Sequence, residues 1–416
     1  MKTLADKTIV LGITGSIAAV RTVELAHELI RRGATVVAVM TESAQRIIHP
    51  DAVECATGMR PITDWTGRTS WVEYCCGSDA DIDTGTDAGS GGKSAADLLL
   101  IAPCTAATIG KIAHGIPDTL VSIFATTAIG AGVPVVVAPA MHLAMYSPVV
   151  RANIDTLRGY GVTIVPPVIE EGKAKIAGTD DIVLWVERAL GRSSRLAGMR
   201  VLVTCGATAE PIDPVRIITS RARGKMGIEL ALEAFRRGCD VTLVHAGPGR
   251  IGFPGIREIY AETAAEMTAS VLAELSGGGY DLLISAAAIS DYTLDSATEK
   301  IRSGESLTLN LRPTEKLLEA VRDRHPDITI VGFKLESVTG DALIVRAKAA
   351  MDRYGLDMVV ANTVESMGGD ESEVWIIAAK GDRDSCHVSG AKDVVASAIL
   401  DCVGEPESRG TESRKP

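Results

Sequence analysis

Glycines and short hydroxyl residues recur where apolar runs end. Gly12-Ile13-Thr14-Gly15-Ser16-Ile17 closes a first run, Thr41 and Ser43 follow the run 35–40, and Thr105 follows the run 98–102. A strand ending in Gly and Ser ahead of a helix offers backbone N–H groups and a hydroxyl to a phosphate. In a parallel sheet such ends border one crevice, so three of them point to a phosphate or flavin site. His142 stands in Pro139-Ala140-Met141-His142, just after the run 134–138. Imidazole suits proton transfer near neutral pH, and it serves equally as a hydrogen-bonded turn residue. Asp79, Asp81 and Asp83 have the opening spacing of a calcium loop, but the glycine falls one place late at Gly85 and Ser90 stands where the closing Glu belongs. A solvated, flexible insertion over 77–94 is the better expectation.

The elements that position these residues read as α/β. Glu24-Leu25-Ala26-His27-Glu28-Leu29-Ile30-Arg31-Arg32-Gly33 has a counterpart in Glu229-Leu230-Ala231-Leu232-Glu233-Ala234-Phe235-Arg236-Arg237-Gly238. Both are amphipathic, with basic residues in the last turn and a closing Gly. Each lies between an apolar run with a Gly turn and a second apolar run, which makes a β-turn-α-β unit with parallel strands. Further strands are expected near 98–102, 134–138 and 161–165, then near 281–285, 328–332, 358–361 and 374–378. The fold expected is two doubly wound, Rossmann-like α/β/α domains with mainly parallel sheets. They would span 1–190 and 196–403, joined by the polar linker 191–195, with a disordered tail over 404–416.

Composition narrows the partners. The 416 residues hold 42 Lys and Arg against 53 Asp and Glu, a net charge of −11. That balance disfavours nucleic acid, whose backbone needs a basic face. No run approaches the roughly 20 apolar residues of a membrane span. The eight cysteines form no C-x-x-C pair, so reduced thiols in the cytoplasm are expected rather than zinc or disulfides.

Longer motifs bring in a family. Gly15-Ser16-Ile17-Ala18-Ala19, the stretch from Ala102-Pro103-Cys104-Thr105 to Ala113, and Pro139-Ala140-Met141-His142-Leu143-Ala144-Met145-Tyr146 resemble the flavin-containing cysteine decarboxylases. Gly206-Ala207-Thr208-Ala209-Glu210-Pro211, Gly224-Lys225-Met226-Gly227, Ala286-Ala287-Ala288-Ile289-Ser290-Asp291, Glu299-Lys300-Ile301 and Val331-Gly332-Phe333-Lys334 resemble phosphopantothenate–cysteine ligase. Together the halves are similar to the bifunctional enzymes of coenzyme A biosynthesis, and His142 with Glu171-Gly172-Lys173-Ala174-Lys175-Ile176 is similar to their archaeal members.

The resemblance implies two reactions on 4′-phosphopantothenate, cysteine and CTP. An acyl-cytidylate forms with Mg²⁺ on the triphosphate, and the amine of cysteine displaces CMP. FMN then oxidises the cysteinyl thiol, CO₂ leaves, and the returned electrons give 4′-phosphopantetheine. It also implies a homo-oligomer, with trimers of the flavin domain and dimers of the ligase domain. For FMN it implies Gly15, Ser16, Ile17, Thr41, Ser43, Thr105, Ser122 and Met141. For CTP it implies Ser285, Ala286, Ala287, Asp291, Lys300, Glu315, Lys316, Leu317, Leu318, Phe333 and Lys348. The catalytic positions carried over are His142, Lys175, Ser220 and Lys225.

The departures are chemical. The family's ligation Asn is here Ser220, flanked by Arg221 and Arg223. Its decarboxylase His is here Trp71, whose indole N–H donates a hydrogen bond but cannot serve as a general base. Lys173 and Lys175 are the residues able to supply charge or a proton in place of the bacterial lid cysteine. His142 is left as base or carboxylate ligand. The alternative reading is a ligase whose flavin domain no longer decarboxylates. A flavin-binding assembly module is a third. A nicotinamide oxidoreductase is disfavoured, because neither Gly turn shows the full G-x-G-x-x-G or an acidic ribose partner.

Overall fold

The computed structural model describes residues 2–66, 69–76, 96–247, 249–302, 304, 306–366, 368–379 and 385–404. The expected insertion 77–94 and the tail beyond 404 lie outside the described residues. Gly404 itself closes the helix Lys392–Gly404 rather than opening a disordered tail. The chain divides into two compact units, Met1–Ser193 and Ser194–Pro416.

In the first unit five parallel strands run in the order Thr35–Met40, Thr8–Ile13, Leu98–Cys104, Val135–Pro139, Thr163–Ile164. In chain order this is 2-1-3-4-5, which reverses direction between the first and third strands. Buried alternation explains the three layers. Ile9, Leu11 and Ile13 join Leu25, Leu29, Val183 and Val186 on one face. Val10, Leu99 and Ile101 join Ile109, Phe124 and Leu157 on the other. The helix Thr22–Arg31 buries Leu25, Ala26 and Leu29. The last strand is shorter than the apolar run 161–165 suggests, since Gly161 is taken up in the preceding turn at φ +82°.

A small antiparallel sheet was not foreseen. It joins Met141–His142 to Lys173–Lys175 and that strand to Val168–Glu170. Lys173 and Lys175 are therefore strand residues, and Lys173 is His142's cross-strand partner.

The second unit carries an eight-stranded sheet. Its order is Arg257–Tyr260, Asp240–His245, Arg200–Cys205, Leu282–Ser285, Thr329–Glu336, Met358–Thr363, Glu371–Ala378, Cys386–Ala391. The first six are parallel and the last two antiparallel. Chain order is 3-2-1-4-5-6 before the antiparallel pair, so the direction reverses between Arg200–Cys205 and Leu282–Ser285. Leu202, Val244, Leu283, Ile330 and Val359 pack on Met267, Val271, Val321, Leu343 and Met351. The expected strand 328–332 is longer, continuing to Glu336, which carries Phe333 to the sheet's carboxyl end.

Candidate functional site

Each unit has a reversal point in its strand order, and a crevice opens at that of the second. In the first unit the Thr14 hydroxyl donates to the Pro103 carbonyl (2.7 Å) and accepts from the Thr105 amide (3.1 Å). This ties the ends of the first and third strands together. Ser16, Thr41 and Thr105 are each an N-cap, accepting from Ala18, Ala44 and Thr108 respectively. Three helix starts therefore face this end of the sheet, where Asn, Ser or Thr oxygens satisfy one donor and leave others free. A Cβ on Gly15 would stand 2.5 Å from the Cβ of Ser43, so this glycine is required by the close approach of the two turns. Ile17 is 78% exposed beside them.

Ser122 departs from the expected set. It is 0% exposed, and its hydroxyl closes a capping box with Thr119. It shapes the start of the helix Leu120–Ala131. Cys104, at the end of the third strand, is buried and its thiol is pushed up by burial, which removes it as a nucleophile.

His142 caps the short 3-10 turn Leu143–Met145, its Nδ1 accepting from the Ala144 amide at 3.2 Å. A neutral ring so engaged holds its proton on Nε2 and is a donor there. Met141 and Tyr146 pack on the same apolar cluster as Trp71. Trp71 lies in the helix Ser70–Cys76 and meets Trp65 edge-on, with centroids 5.7 Å apart. Lys175 is no free proton donor: its ammonium pairs with Glu170 (2.8 Å) and Glu171 (2.6 Å), and those hydrogen bonds raise its pKa.

In the second unit the glycine fingerprint is present but split. Gly206, at φ +85°, makes the turn after the first strand, and a Cβ there would sit 1.9 Å from the Ala246 carbonyl oxygen. Gly224, at φ +74°, is the N-cap of the helix Lys225–Arg236, against the Gly206 backbone. A Cβ on Gly227 would be 2.3 Å from the Cβ of Cys205, so this glycine lets helix and strand touch. These are the three roles of G-x-G-x-x-G, with the hairpin Ala209–Pro211 and Ile217–Thr219 inserted between the first and second. The hairpin hides the fingerprint in the sequence, where the motif is recognised by contiguous spacing. No acidic residue ends the second strand, where His245 stands.

The crevice above this turn is lined by Arg223, Lys225, Ala286, Ala287, Phe333 and Asn362, among others. Ser285, nearly buried, ends the strand beneath Ala286. Ala287 is held by the Thr204 hydroxyl at 3.3 Å. Lys225 pairs with Asp370, whose pKa is lowered by that bond. Lys392 also lines the crevice, 8% exposed, and no sequence motif had singled it out. Ser220 is exposed on the inserted hairpin's return, accepting from the Ala222 amide at 3.3 Å.

The remaining expected nucleotide residues do not line this crevice. Lys316 pairs with Asp291. Leu317 is 3% exposed and belongs to the core, so its side chain cannot line a base pocket. Leu318 packs against the same cluster. Glu315 borders a separate hollow with Glu210, Thr268 and Arg324. Lys348 is exposed on the helix Asp341–Tyr354.

Lys300 is also exposed, yet its segment is latched. The Asp213 carboxylate accepts from the amides of Val215, Arg216 and Ile301 and from the Arg216 guanidinium. Burial pushes this carboxyl up, but those four hydrogen bonds prevail and hold it down at about 2. Arg216 also donates to the Ile301 carbonyl at 3.0 Å.

Residues 196–405 match the family described as DNA/pantothenate metabolism flavoprotein C-terminal domain, and residues 1–191 match the family described as Flavoprotein. The chain is 45% identical to the coenzyme A biosynthesis bifunctional protein CoaBC of Thermococcus kodakarensis, over 90% of this chain and 89% of that one. It is 35% identical to the protein of the same name from Methanocaldococcus jannaschii, over 97% and 94%. Among solved structures, an FMN-dependent cysteine decarboxylase is 27% identical, covers 44% of this chain and 99% of its own, and has a TM-score of 0.34.

Proposed function

Since this chain belongs to the family of coenzyme A biosynthesis bifunctional proteins, we propose that the second unit ligates cysteine to 4′-phosphopantothenate with CTP and the first decarboxylates the product to 4′-phosphopantetheine. The observation that carries the reading is the split fingerprint, with a helix start and Lys225 aimed into a crevice at a topological switch point.

The nucleotide's phosphates lie over the start of the helix Lys225–Arg236, and Phe333 offers a flat apolar face to the base. The substrate carboxylate attacks the α-phosphorus, pyrophosphate leaves, and the amine of cysteine then displaces CMP. Ser220 and Lys225 sit on the segment that flanks this transfer, Ser220 supplying one hydroxyl where an Asn would supply an amide. Lys300 reaches the nucleotide from a segment whose position Asp213 and Arg216 set. Mg²⁺ arrives on the triphosphate. The phosphate oxygens are its main ligands, as is usual for this ion on a nucleotide.

The residues at the first unit's switch point fit an FMN. Gly15 gives close backbone approach, Ser16 and Thr105 start helices, and Thr41 and Ser43 flank them; Met141 follows the carboxyl end of the strand Val135–Pro139. Bound there, FMN would supply two-electron oxidation of the cysteinyl thiol. His142 donates from Nε2 to that carboxylate and orients it. Ser122 and Lys175 act only through Thr119 and through Glu170 and Glu171.

One purified sample tests both steps. It is given 4′-phosphopantothenate, cysteine, CTP, Mg²⁺ and FMN and followed by mass spectrometry. The expected product is 4′-phosphopantetheine. Trp71, in place of a base and packed on Trp65, favours a second reading in which the time course stops at 4′-phosphopantothenoylcysteine. Intact CTP with no new product overturns both. We place this work in the cytoplasm, where eight free thiols stay reduced. Among the described residues no helix is long and apolar enough to cross a membrane. The assembly is a homo-oligomer, trimeric through the first unit and dimeric through the second. Light scattering on the intact chain reads its mass.

A further inference from the structure

Among the described residues, Lys392 is a buried cation without a counter-ion at contact. It opens the helix Lys392–Gly404, is 8% exposed and lines the same crevice as Lys225. Its ammonium makes one hydrogen bond, to the Gly369 carbonyl at 2.6 Å, and among the described residues no carboxylate lies within ion-pair distance of it. Burial lowers its pKa, repulsion from Lys225 lowers it further, and Asp370 opposes both. Keeping an ammonium in such a place is costly unless an anion joins it. Among the described residues Asp370 is the anion that acts on it, and it is spent on Lys225. Its own side chain is 90% exposed, on a glycine-flanked turn from which it can swing into water.

We propose that Lys392 is a phosphate ligand of the nucleotide, acting with Lys225 on the triphosphate, and that Asp370 holds the anion's place until the nucleotide arrives. The proposal rests on the ligase reading above. Three positive features converge on one spot: the start of the helix Lys225–Arg236, the Lys225 ammonium and the Lys392 ammonium. Their combined charge suits a triphosphate, which carries several negative charges even with Mg²⁺ bound. When the triphosphate displaces Asp370, both lysines gain a stronger anion and one exposed carboxylate returns to solvent.

The test is calorimetric binding of CTP and of cytidine to the full chain, in Mg²⁺ and without 4′-phosphopantothenate. Lys392→Gln is expected to weaken CTP by roughly 10- to 100-fold, the loss of a charge-assisted hydrogen bond, while cytidine is unaffected. Lys392→Arg is expected to restore most of the CTP affinity. Asp370→Asn changes an exposed side chain, folds regardless of Lys392, and is expected to tighten CTP severalfold by removing the competing carboxylate. CTP affinity unchanged in a folded Lys392→Gln protein overturns the proposal, and so does an Asp370→Asn protein that binds CTP no tighter. An equal loss for cytidine overturns it too, since the lysine would then read the base. Wild-type protein that binds no CTP overturns instead the ligase reading on which the proposal stands.

Discussion

Where Ala144 donates its amide to Nδ1 of His142, the neutral ring is left with a proton on Nε2 and no free lone pair. The sequence left His142 open between base and carboxylate ligand, and this one backbone bond favours the ligand. An Asn could make the same pair of bonds, accepting from Ala144 through its carbonyl and donating through its amide. His142→Asn is therefore expected to keep decarboxylation within about tenfold of wild type. His142→Ala is expected to lose on the order of 100-fold, as when one stabilising donor is removed from a reacting site. Single-turnover decarboxylation of 4′-phosphopantothenoylcysteine distinguishes them. An Asn variant as inactive as the Ala variant would mean the ring carries the proton. Lys175 and Ser122 teach the same lesson from the other side. Both have the right chemistry, but the one is held by two glutamates and the other is sealed in a capping box.

The helix Lys225–Arg236 depends on how closely it can lie on the first strand of its sheet. Amphipathicity predicts that it forms and which face is buried, as Leu230, Ala231, Ala234 and Phe235 confirm. Periodicity says nothing about the distance to the strand, which is set at Gly227, where a Cβ would be 2.3 Å from Cys205. Gly227→Ala must push the helix start away from the crevice. Its expected cost is about 1–3 kcal/mol of stability by denaturant unfolding, with a CTP affinity that falls further than stability alone explains. Unchanged CTP binding in that variant would remove the helix start from the site. The same reasoning covers the missed fingerprint. Its three glycine roles are met by residues separated in sequence, because an antiparallel hairpin leaves and returns between the first role and the second.

Each unit has its own sheet and its own buried clusters. A unit with a complete core can fold alone. Residues 194–416 expressed separately are expected to melt cooperatively and to form 4′-phosphopantothenoylcysteine at a rate within about twofold of the intact chain. They should form no 4′-phosphopantetheine. A separated unit that is folded yet makes no ligation product would mean that the ligase site needs the first 193 residues.

The sequence by itself determined the α/β class, the parallel order of local β-α-β units and most strand positions, because 2- and 3.6-residue periodicity reports which face is buried. Motif order also determined the family, with Gly15, Ser16, Thr105, Ala286, Ala287 and Phe333 legible from it. Tertiary structure alone decided which of these side chains share a crevice. Lys392 lies more than 160 residues from Lys225 and in no motif, yet both line one pocket. Leu317 reads as a nucleotide contact and its side chain packs in the core, and Lys175, read as a loop lysine, is a paired strand residue. The physical reason is that burial, ion pairing and close approach depend on distances through space, and spacing along the chain constrains those only within a helix, a strand or a tight turn.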